Sequence, residues 1–490
     1  MMLWEAVAAL VVGTVLVFAL KRFRVPLKLG LVLAAAGLVV YVALRLTCMN
    51  QNQATVTVIF LLAYGLIASE RVHKTTVALG GAAVMLLTRL IDQHEALHGA
   101  GEVEGVDWNT IFLLVSMMVI VNITRHTGVF QWLAIKAAKF VRGEPVGVVI
   151  VMCAITAVLS ALLDNVTTVL LITPVAILIF EALKTSPVPC LICVVLASNI
   201  GGTATLIGDP PNIMIASSAS IPFLDFLKID GPPILVLMVM LLLSIRLALG
   251  KRIQVSPERK AGVMAFDESK AITDMKLLRR ASAVIGLTLL GFFFHGLLGL
   301  EPGTVALGGA ALLLLLHHSG PEEALHQVEW TTIFFFIGLF VMVSALVKAG
   351  VVAMLGESIL ALTSGNLAAM TLLVLWFSAI ASGIVDNIPF VATMAALIHS
   401  LARGLHPEAG SVLEAAHAPD VIPLWWALSL GACLGGNFTL VGASANVVVA
   451  GLAGRSGHKI SFVRFMKYGI PMTLVALVVS SLWLWLRFLR

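Results

Sequence analysis

The sequence is poor in charged residues. Only 12% of its 490 residues are Asp, Glu, Lys or Arg, whereas 60% are hydrophobic and the mean hydropathy is +1.04. Soluble domains carry about 25% charged residues, so this composition excludes a soluble fold. The formal net charge is +5, but the basic residues lie in short clusters between apolar segments, which is typical of membrane topology signals and excludes nucleic-acid binding.

Cysteine is also scarce, and no catalytic or nucleotide-binding motif is present. The five cysteines lie mostly inside apolar segments, which excludes a disulfide framework. Cys190 and Cys193 form a CxxC pair without a second pair, so small apolar residues in a helix are favoured over a soft-ligand site for a thiophilic metalloid. We therefore expect neither an enzyme nor a cofactor. Any use of ATP would need a separate ATPase subunit.

Long apolar segments are what the sequence does have. About ten of them reach the roughly 20 residues that a helix needs to cross the hydrocarbon core of a bilayer. Because the backbone must satisfy its own hydrogen bonds in lipid, the predicted fold class is an all-α polytopic membrane protein. The first apolar segment, 3–20, is followed by Lys21 and Arg22 and lacks a preceding basic region, so it predicts a retained helix rather than a signal peptide.

The sequence contains an internal repeat. VDWNTIF at 106–112 returns as VEWTTIF at 328–334, and LLDNVTT around Asp164 returns as IVDNIPF around Asp386, both at a shift of 222 positions. NIGGTATLIGDPPN at 199–212 aligns with LGGNFTLVGASAN at 434–446 at a shift of 234. Each half thus carries two polar, glycine-rich interruptions, which is the pattern of a secondary transporter.

This repeat gives a predicted domain organisation. Residues 1–103 form N-terminal scaffold helices near 3–20, 29–47, 54–69 and 75–91. The first repeat, 104–249, contains a re-entrant hairpin at 146–183 and a discontinuous helix at 188–219. A cytoplasmic linker at 250–277 and further scaffold helices at 278–326 follow. The second repeat, 327–490, contains a hairpin at 367–403 and a discontinuous helix at 423–453.

The distribution of positive charge predicts the topology. With loop 21–28 in the cytoplasm, only seven of the 31 Lys and Arg residues fall on the opposite side: Arg45, Arg89, Lys228, Lys348, Arg403, Arg487 and Arg490. This positive-inside distribution requires the two hairpins to be re-entrant and to enter from opposite sides. The two repeats are therefore predicted to have inverted topologies, with the site between them near the middle of the membrane.

The predicted hairpin tips carry acidic residues. An ionised Asp164 or Asp386 at hydrocarbon depth would cost roughly 2.5–3.5 kcal/mol without compensation. Each can cap the helix that follows it, but a matched pair favours a proton or cation site. Pro389 replaces Thr167 in the second tip, so the tips are not equivalent. The polar neighbours predicted to bind substrate or ion are Asn165, Thr167, Thr168 and Asn387.

The second pair of interruptions is predicted to break a helix in each repeat. Gly201, Gly202 and Pro210 cannot continue a helix, and the break exposes carbonyl oxygens that can coordinate Na⁺. Close helix packing would explain the glycines but not the recurring Asn and Thr residues. Asp209 has Ala443 as its counterpart, which makes the two sites unequal. The predicted ligands here are Ser198, Asn199, Gly201, Gly202, Thr203, Thr205, Asp209, Asn212, Asn437, Thr439, Ser444 and Asn446. A Na⁺ ion is predicted at Asn165, Asn199, Gly202, Asn387 and Asn437.

These motifs resemble a known superfamily. LLDNVTTVLLITP and ASNIGGTATLIGDPPNIMI, with DNIPFVATM and LGGNFTLVGASANVVVAG in the second half, resemble the ion transporter superfamily over 104–486. The likeness is strongest to its group of arsenite permeases, pink-eyed-dilution P proteins and NhaD-type antiporters, which share a citrate transporter-like domain. The resemblance implies a homodimer with a scaffold domain and a transport domain, in the prokaryotic inner (cell) membrane.

Departures from the superfamily patterns bear on the substrate. Divalent-anion symporters carry Ser-Asn-Thr at both tips, whereas Asp164 and Asp386 would repel a dicarboxylate. The best-known arsenite permeases carry Asn-Asp-Gly where this chain has Asp164-Asn165-Val166. The predicted function is ion-coupled secondary active transport of a small inorganic solute, most narrowly H⁺-coupled efflux of arsenite or antimonite, since arsenous acid is neutral at pH 7. The alternatives are a Na⁺/H⁺ antiporter, a passive chloride channel and a Na⁺-coupled carboxylate transporter.

Overall fold

The computed structural model describes residues 40–42, 49–69, 71–101, 103–250, 255–317 and 320–490. The predicted helix at 3–20 and all but residues 40–42 of the one at 29–47 lie outside the described residues. Within the described part the regular structure is helical, with one isolated β-bridge between Ala100 and Val103 and no strand. The prediction of an all-α chain is confirmed.

The helices in the first half of the chain have the following bounds. They are α1 (Gln51–Ala68), α2 (Lys74–Leu87), α3 (Gln93–His98), α4 (Trp108–Arg125), α5 (Val129–Phe140), α6 (Pro145–Leu162), α7 (Asn165–Ala182), α8 (Val188–Thr203), α9 (Pro210–Ser218), α10 (Phe223–Ile229), α11 (Gly231–Leu249) and α12 (Pro257–Met264). A short 3₁₀ helix spans Glu268–Ala271.

The second half continues the numbering. Its helices are α13 (Met275–Leu298), α14 (Pro302–Leu316), α15 (Pro321–His326), α16 (Trp330–Lys348), α17 (Val351–Thr363), α18 (Leu367–Ile384), α19 (Asn387–Leu405), α20 (Val412–Ala416), α21 (Ile422–Gly435), α22 (Ser444–Arg455) and α23 (Phe462–Leu484). A π-helical turn, Trp485–Leu489, follows α23.

Nine of the helices in the described residues are long and apolar enough to cross a membrane. They are α4, α6, α7, α11, α13, α16, α18, α19 and α23, the last counted with its π-helical turn. The pair α9 and α10 is bent by 117° and adds a tenth span if it counts as one.

The chain divides into two compact units. The first unit contains the described residues up to Trp108, together with Glu329–Asn366 and Ala392–Val421. The second unit contains the described residues of Asn109–Val328, Leu367–Val391 and Ile422–Arg490. Every residue predicted to bind substrate or ion lies in the second unit.

In the first unit, two helices approach each other closely enough for backbone contact. Helix α2 packs on α16 where Gly338 faces the main chain of Ala78, and a Cβ atom at Gly338 would lie 2.7 Å from the Ala78 carbonyl carbon. Gly81 likewise leaves room for the thioether of Met342. Small residues at such crossings allow apolar helices to approach closely in lipid, where the hydrophobic effect contributes little between helices.

A histidine with two acidic partners closes the loop that precedes α21. His406 Nε2 lies 2.7 Å from Asp420 Oδ1, and its Nδ1 lies 3.2 Å from Glu408 Oε1. The hydrogen bonds to Asp420 and then to Glu408 raise the pKa of His406 above its ordinary value. Because the folded-state pKa is the higher one, the protonated ring stabilises the loop at low pH. This stabilisation is lost as the pH rises through the folded-state pKa.

We expect loop 406–420 to loosen as the pH rises through the His406 titration. Cleavage after Glu408 or Glu414 by a glutamate-specific protease, followed by mass spectrometry, should become faster at alkaline pH in the native protein. His406→Gln should remove this pH dependence, after correction for the protease's own pH profile. His417→Gln is the control, because His417 contacts the Leu413 carbonyl instead of a carboxylate. A pH-independent cleavage rate in the native protein would contradict the prediction.

In the second unit, a glycine in the first part of each broken helix packs against the helix that precedes the acidic residue of the same repeat. A Cβ atom at Gly201 would lie 2.3 Å from the carbonyl oxygen of Ala157. A Cβ atom at Gly435, the counterpart of Gly201, would lie 2.5 Å from that of Ala379, the counterpart of Ala157. The glycines are therefore explained by backbone-to-backbone packing of α8 on α6 and of α21 on α18.

The segment predicted as a linker is ordered where it is described, from residue 255 onwards. The backbone N–H of Thr273 donates to the Thr127 carbonyl at 3.1 Å, and Lys139 Nζ donates to the Phe266 carbonyl at 3.1 Å. Gly128 has φ 76°, and a side chain there would overlap the Ala271 carbonyl. The segment thus packs against α5 within the second unit.

Adding a methyl group at Gly201 or Gly435 should destabilise the protein. Gly201→Ala forces the Cβ atom into main chain that cannot rotate away, and such overpacking costs about 1–3 kcal/mol. Gly286→Ala is the matched control, because nothing lies within 4 Å of a Cβ at that helical glycine. The measurement is the thermal unfolding midpoint in detergent. A midpoint for Gly201→Ala equal to that of the control would show that the helices do not pack this way.

Candidate functional site

The two acidic residues lie in short links between helices. Leu163 and Asp164 join α6 to α7, and Asp164 Oδ1 accepts a hydrogen bond of 2.8 Å from the backbone N–H of Thr167. This confirms the predicted helix-capping role. Asp386 precedes α19 in the same position, where its Oδ1 lies 3.5 Å from the Ile388 N–H. Its Oδ2 accepts a bond of 3.0 Å from the Ser444 hydroxyl.

Asparagine side chains hold the two helix breaks in shape. Asn212 Nδ2 donates to the carbonyls of Thr203 at 3.1 Å and Thr205 at 3.0 Å, which closes the gap between α8 and α9. Its counterpart Asn446 donates to Gly436 at 2.8 Å and Thr439 at 2.9 Å. The recurring Asn residues therefore satisfy main-chain carbonyls that the interrupted helices leave free.

Threonines fasten each break to the neighbouring link. Thr205 Oγ1 donates to the Ala161 carbonyl at 2.5 Å, just before the first acidic residue. Thr439 Oγ1 donates to the Gly383 carbonyl at 2.6 Å, just before the second. The break and the link of each repeat are thus tied through one side chain at corresponding positions.

Two serines at corresponding positions also bond the helix before each acidic residue to the first part of the broken helix. Ser160 Oγ donates to the Ser198 carbonyl at 2.8 Å, and Ser382 Oγ donates to the Ala432 carbonyl at 2.6 Å. The sequence reasoning overlooked both serines, although they recur at the same shift of 222 positions as the acidic residues. Recurrence in both halves was therefore the signal that could have identified them.

The two broken helices also contact each other reciprocally. Asn199 Nδ2 donates to Asn446 Oδ1 at 2.9 Å, from the first repeat to the second. Cys433, the counterpart of Asn199, donates its thiol to Asn212 Oδ1 at 3.3 Å, from the second repeat to the first. The two breaks therefore meet through reciprocal contacts between equivalent positions.

An asparagine chain runs through the meeting point. Asn199 Nδ2 also donates to Asn437 Oδ1 at 2.9 Å, and Asn199 Oδ1 accepts from Asn165 Nδ2 at 3.4 Å. Three of the five residues predicted to bind Na⁺ are therefore adjacent. Gly202 lies at the break itself, where a Cβ would lie 2.5 Å from the Gly208 carbonyl oxygen.

The fifth residue, Asn387, has a different partner. Its Nδ2 lies 3.4 Å from Oδ1 of Asp209, the fully buried carboxylate that has no counterpart in the second repeat. Asp386 and Asp164 lie close enough to Asp209 to repel it electrostatically. Three carboxyl groups, one from each link and one from the first break, thus surround the same region.

The hydroxyl groups are engaged mostly with the main chain. Thr203 Oγ1 donates to the Asn199 carbonyl at 2.7 Å within α8, and Ser198 Oγ lies 3.3 Å from the Asn165 carbonyl. Thr203, Thr205 and Thr439 therefore use their hydroxyl protons structurally, and only their remaining lone pairs could face an ion.

Some buried oxygen atoms at this site have no hydrogen-bond partner. Within the described residues, these include Asn165 Oδ1, Thr168 Oγ1 and Asp209 Oδ2. A buried oxygen without a donor costs free energy, so such a group suits a bound cation or a solute that donates hydrogen bonds. No cluster of three or more His, Cys, Asp or Glu side chains that could hold a metal ion occurs in the described part of the chain. The donor set is therefore carbonyl, hydroxyl and carboxylate oxygen.

The sequence reasoning also missed a second buried acid. Asp230 lies between α10 and α11 with no exposed surface, and Ser429 Oγ lies 2.6 Å from its Oδ2. The sequence around it, KIDGPP, looks like an ordinary loop, and no counterpart in the other repeat draws attention to it. Only the fold brings it beside α21.

Comparison with known proteins identifies the family. A family model described as "Citrate transporter" matches residues 64–431. The chain belongs to the citrate transporter family. It is a membrane transporter of the ion transporter superfamily. An uncharacterized transporter of Mycobacterium tuberculosis is 46% identical over 430 residues, which cover 88% of this chain and 97% of that protein. The nine apolar helices and such mycobacterial relatives support an integral protein of the bacterial inner membrane.

Two further relatives widen the comparison. The transporter is 35% identical to the human P protein over 514 residues, which cover 89% of this chain and 60% of that protein. The crystal structure of the Alcanivorax borkumensis YdaH transporter, described as having an unusual topology, superimposes with a TM-score of 0.55 over 90% of this chain and 99% of that chain. At 13% identity this likeness shows a shared fold only.

Removal of the Asn199 side chain should destabilise the transporter more than removal of Cys433. Asn199→Ala deletes two hydrogen bonds of 2.9 Å and leaves Asn437 Oδ1 and Asn446 Oδ1 with one fewer donor each, at a cost of about 1–3 kcal/mol per buried unpaired group. Cys433→Ala deletes one weak thiol donor at the equivalent position. Thermal unfolding in detergent provides the comparison. A larger loss for Cys433→Ala would contradict the asparagine chain as the stronger link.

Proposed function

We propose that this transporter is an ion-coupled secondary active transporter of a small inorganic solute. In this proposal Asp164 and Asp386 bind the coupling H⁺ or cation. Asn165, Asn387 and the break residues bind the solute. The narrowest form of the proposal is H⁺-coupled efflux of arsenite or antimonite, with no catalytic activity of its own.

One observation carries the proposal: three carboxyl groups and two further unpartnered buried oxygens, Asn165 Oδ1 and Thr168 Oγ1, lie around the meeting point of two broken helices. Asp209 is buried and Asp164 and Asp386 are half-buried. Acidic groups that lie close together favour a bound proton or cation among them. The unpartnered oxygens of Asn165 and Thr168 add neutral ligands. This arrangement supports competition between a coupling ion and the solute.

The lack of buried positive charge favours a neutral solute. Among the described residues, the buried polar and charged side chains include Asp209 and Asp230 but no Lys or Arg. A free carboxylate or chloride ion would meet negative charge without a compensating cation. Arsenous acid is neutral at pH 7 and can donate and accept hydrogen bonds, so the Asn amides fit it.

Citrate is the second candidate, because the matching family model carries that name. Three negative charges on citrate would face Asp164, Asp209 and Asp386, so citrate would have to enter together with cations that offset both sets of charge. The third candidate is Na⁺/H⁺ exchange, which the oxygen ligands of Asn165, Thr168 and Asp209 favour because Na⁺ prefers such ligands.

The architecture belongs to the same proposal. We propose that the reciprocal contacts between Asn199 and Asn446 and between Cys433 and Asn212 reflect repeats of inverted topology, with residues 104–249 and 327–490 as the two halves. The links at Asp164 and Asp386 are then the tips of re-entrant hairpins. We also propose a homodimer, with an ATPase subunit as an optional partner.

Neutralising either acidic link should abolish coupled transport. In proteoliposomes with an imposed pH gradient, we expect Asp164→Asn and Asp386→Asn each to lower arsenite transport at least about tenfold, which corresponds to about 1.4 kcal/mol. Asp225→Asn is the matched control. Asp225 pairs with Lys228 on an exposed helix face, so its loss should leave transport near normal.

The same assay separates the candidates. Arsenite, Na⁺, chloride and citrate are each tested with and without the pH gradient. Gradient-dependent arsenite movement supports the narrow proposal, whereas gradient-dependent movement of Na⁺ or citrate alone would replace it with the corresponding alternative. Movement of chloride down its own gradient, independent of pH, would indicate a channel. Near-normal transport in both Asp variants would refute the assignment of the coupling groups.

A further inference from the structure

The buried acid Asp230 lies outside the site described above, yet it connects to it. Asp230 Oδ2 lies 2.6 Å from the hydroxyl oxygen of Ser429. The same hydroxyl oxygen lies 2.7 Å from Asn212 Oδ1. Asn212 is the side chain that closes the first helix break by donating to Thr203 and Thr205. Three side chains thus form a continuous chain from the buried acid to the break.

Counting protons determines the direction of each bond in this chain. The amide group of Asn212 donates to two carbonyl oxygens, so its Oδ1 must be an acceptor, since the flipped amide would place oxygen against oxygen. Ser429 has a single hydroxyl proton. If that proton bonds Asn212 Oδ1, Ser429 can only accept from Asp230, and Asp230 must then carry a proton on Oδ2.

The opposite assignment leaves two contacts unsatisfied. If Asp230 were ionised, Ser429 would donate to it, and the Ser429 oxygen would face Asn212 Oδ1 at 2.7 Å with no proton between them. The second carboxyl oxygen, Asp230 Oδ1, has no hydrogen-bond partner among the described residues. An ionised buried carboxylate with a bare oxygen is expensive, whereas the carbonyl oxygen of a neutral acid tolerates this position better.

Among the described residues, the charged and titratable side chains around Asp230 supply no countercharge. On the helices packed around Asp230, Asp225 and Lys228 of α10 pair with each other at 3.4 Å on the surface. Cys433 of α21 is the group that interacts electrostatically with Asp230, and it is also an acid. Arg487 follows α23 and is exposed, and Arg246 lies about four turns along α11 from Asp230. His295 of α13 accepts from the Phe223 N–H at 3.3 Å and is held by the Leu300 carbonyl on its other nitrogen.

We propose that Asp230 is a proton-binding site, and that its bound proton turns Ser429 toward Asn212 and so holds the first helix break closed. Loss of the proton turns the Ser429 hydroxyl toward the carboxylate and removes one donor from Asn212. Cys433 then remains as the other donor to Asn212 Oδ1. Asp230 is a positioning residue here, acting on the break that carries Asp209. The inference does not depend on which solute is transported.

Infrared difference spectroscopy on the purified full-length transporter tests the proton directly. A protonated carboxyl group has a carbonyl stretch that is separate from carboxylate and amide bands and shifts in D₂O. At pH 7, the spectrum of the native protein minus that of Asp230→Asn should contain this band. Asn at 230 keeps the shape and can still donate to Ser429, so the fold should survive. Asp225→Asn is the matched control and should remove only carboxylate bands.

Ser429→Ala tests the connection to the break. Without its acceptor, the acid O–H of Asp230 loses its hydrogen bond, so the carbonyl band should move to higher frequency. Hydrogen exchange of the peptide that spans 203–212, corrected for intrinsic pH dependence, should become faster at alkaline pH in the native protein but stay constant in Asp230→Asn. No acid band in the Asp230→Asn difference spectrum would overturn the proton site. An unshifted band in Ser429→Ala, or equal pH dependence of exchange in both proteins, would overturn the coupling to the break.

Discussion

The structure of the second unit depends on one constraint: where a helix is interrupted among apolar helices, the carbonyls that lose their helical partners must find hydrogen-bond donors within the protein. In lipid no water can do so, and each unsatisfied group costs several kcal/mol. Asn212 and Asn446 meet this constraint by each donating twice to the carbonyls of its own break. Because an amide that donates twice still has a free acceptor oxygen, each clamp also offers one contact to the opposite repeat. The packing between repeats follows from how each break is closed.

That free oxygen is also where the two halves differ. Asn446 Oδ1 accepts from an amide, Asn199, whereas Asn212 Oδ1 accepts from a thiol and a serine hydroxyl. Both breaks are therefore closed by an asparagine amide. The oxygen of the first asparagine accepts from a serine that also contacts the buried acid Asp230, whereas the oxygen of the second accepts from a neutral amide. Asp209, opposite Ala443, adds charge to the first break only. The two breaks thus share one pattern of hydrogen bonds but differ in charge, because only the first carries a carboxyl group.

Much of this could be predicted from the sequence, because hydropathy and the repeat are local signals. The segment predicted to hold a broken helix, 188–219, corresponds to α8 and α9, and the segment predicted as a hairpin, 146–183, corresponds to α6 and α7; the outer bounds differ by at most one residue. The re-entrant course of the hairpin stays a prediction. The capping role of Asp164 followed from its position before an apolar helix. The ligand roles stay predictions: the hydroxyl protons of Thr205 and Thr439 bond the carbonyls of Ala161 and Gly383, which leaves only their oxygen lone pairs for an ion. A sequence shows that a hydroxyl is present, not which carbonyl lies beside it.

The role of Asp230 could not be predicted from sequence patterns. Its partner Ser429 is 199 residues away, and neither residue recurs in the other repeat, so no periodicity or duplication could link them. Their relation arises only because α21 packs against the junction of α10 and α11, where Phe226 meets Trp426 with ring centroids 5.0 Å apart. An aromatic contact between apolar side chains thus places a hydroxyl beside a buried acid. Non-repeated polar pairs of this kind must therefore be sought in the fold.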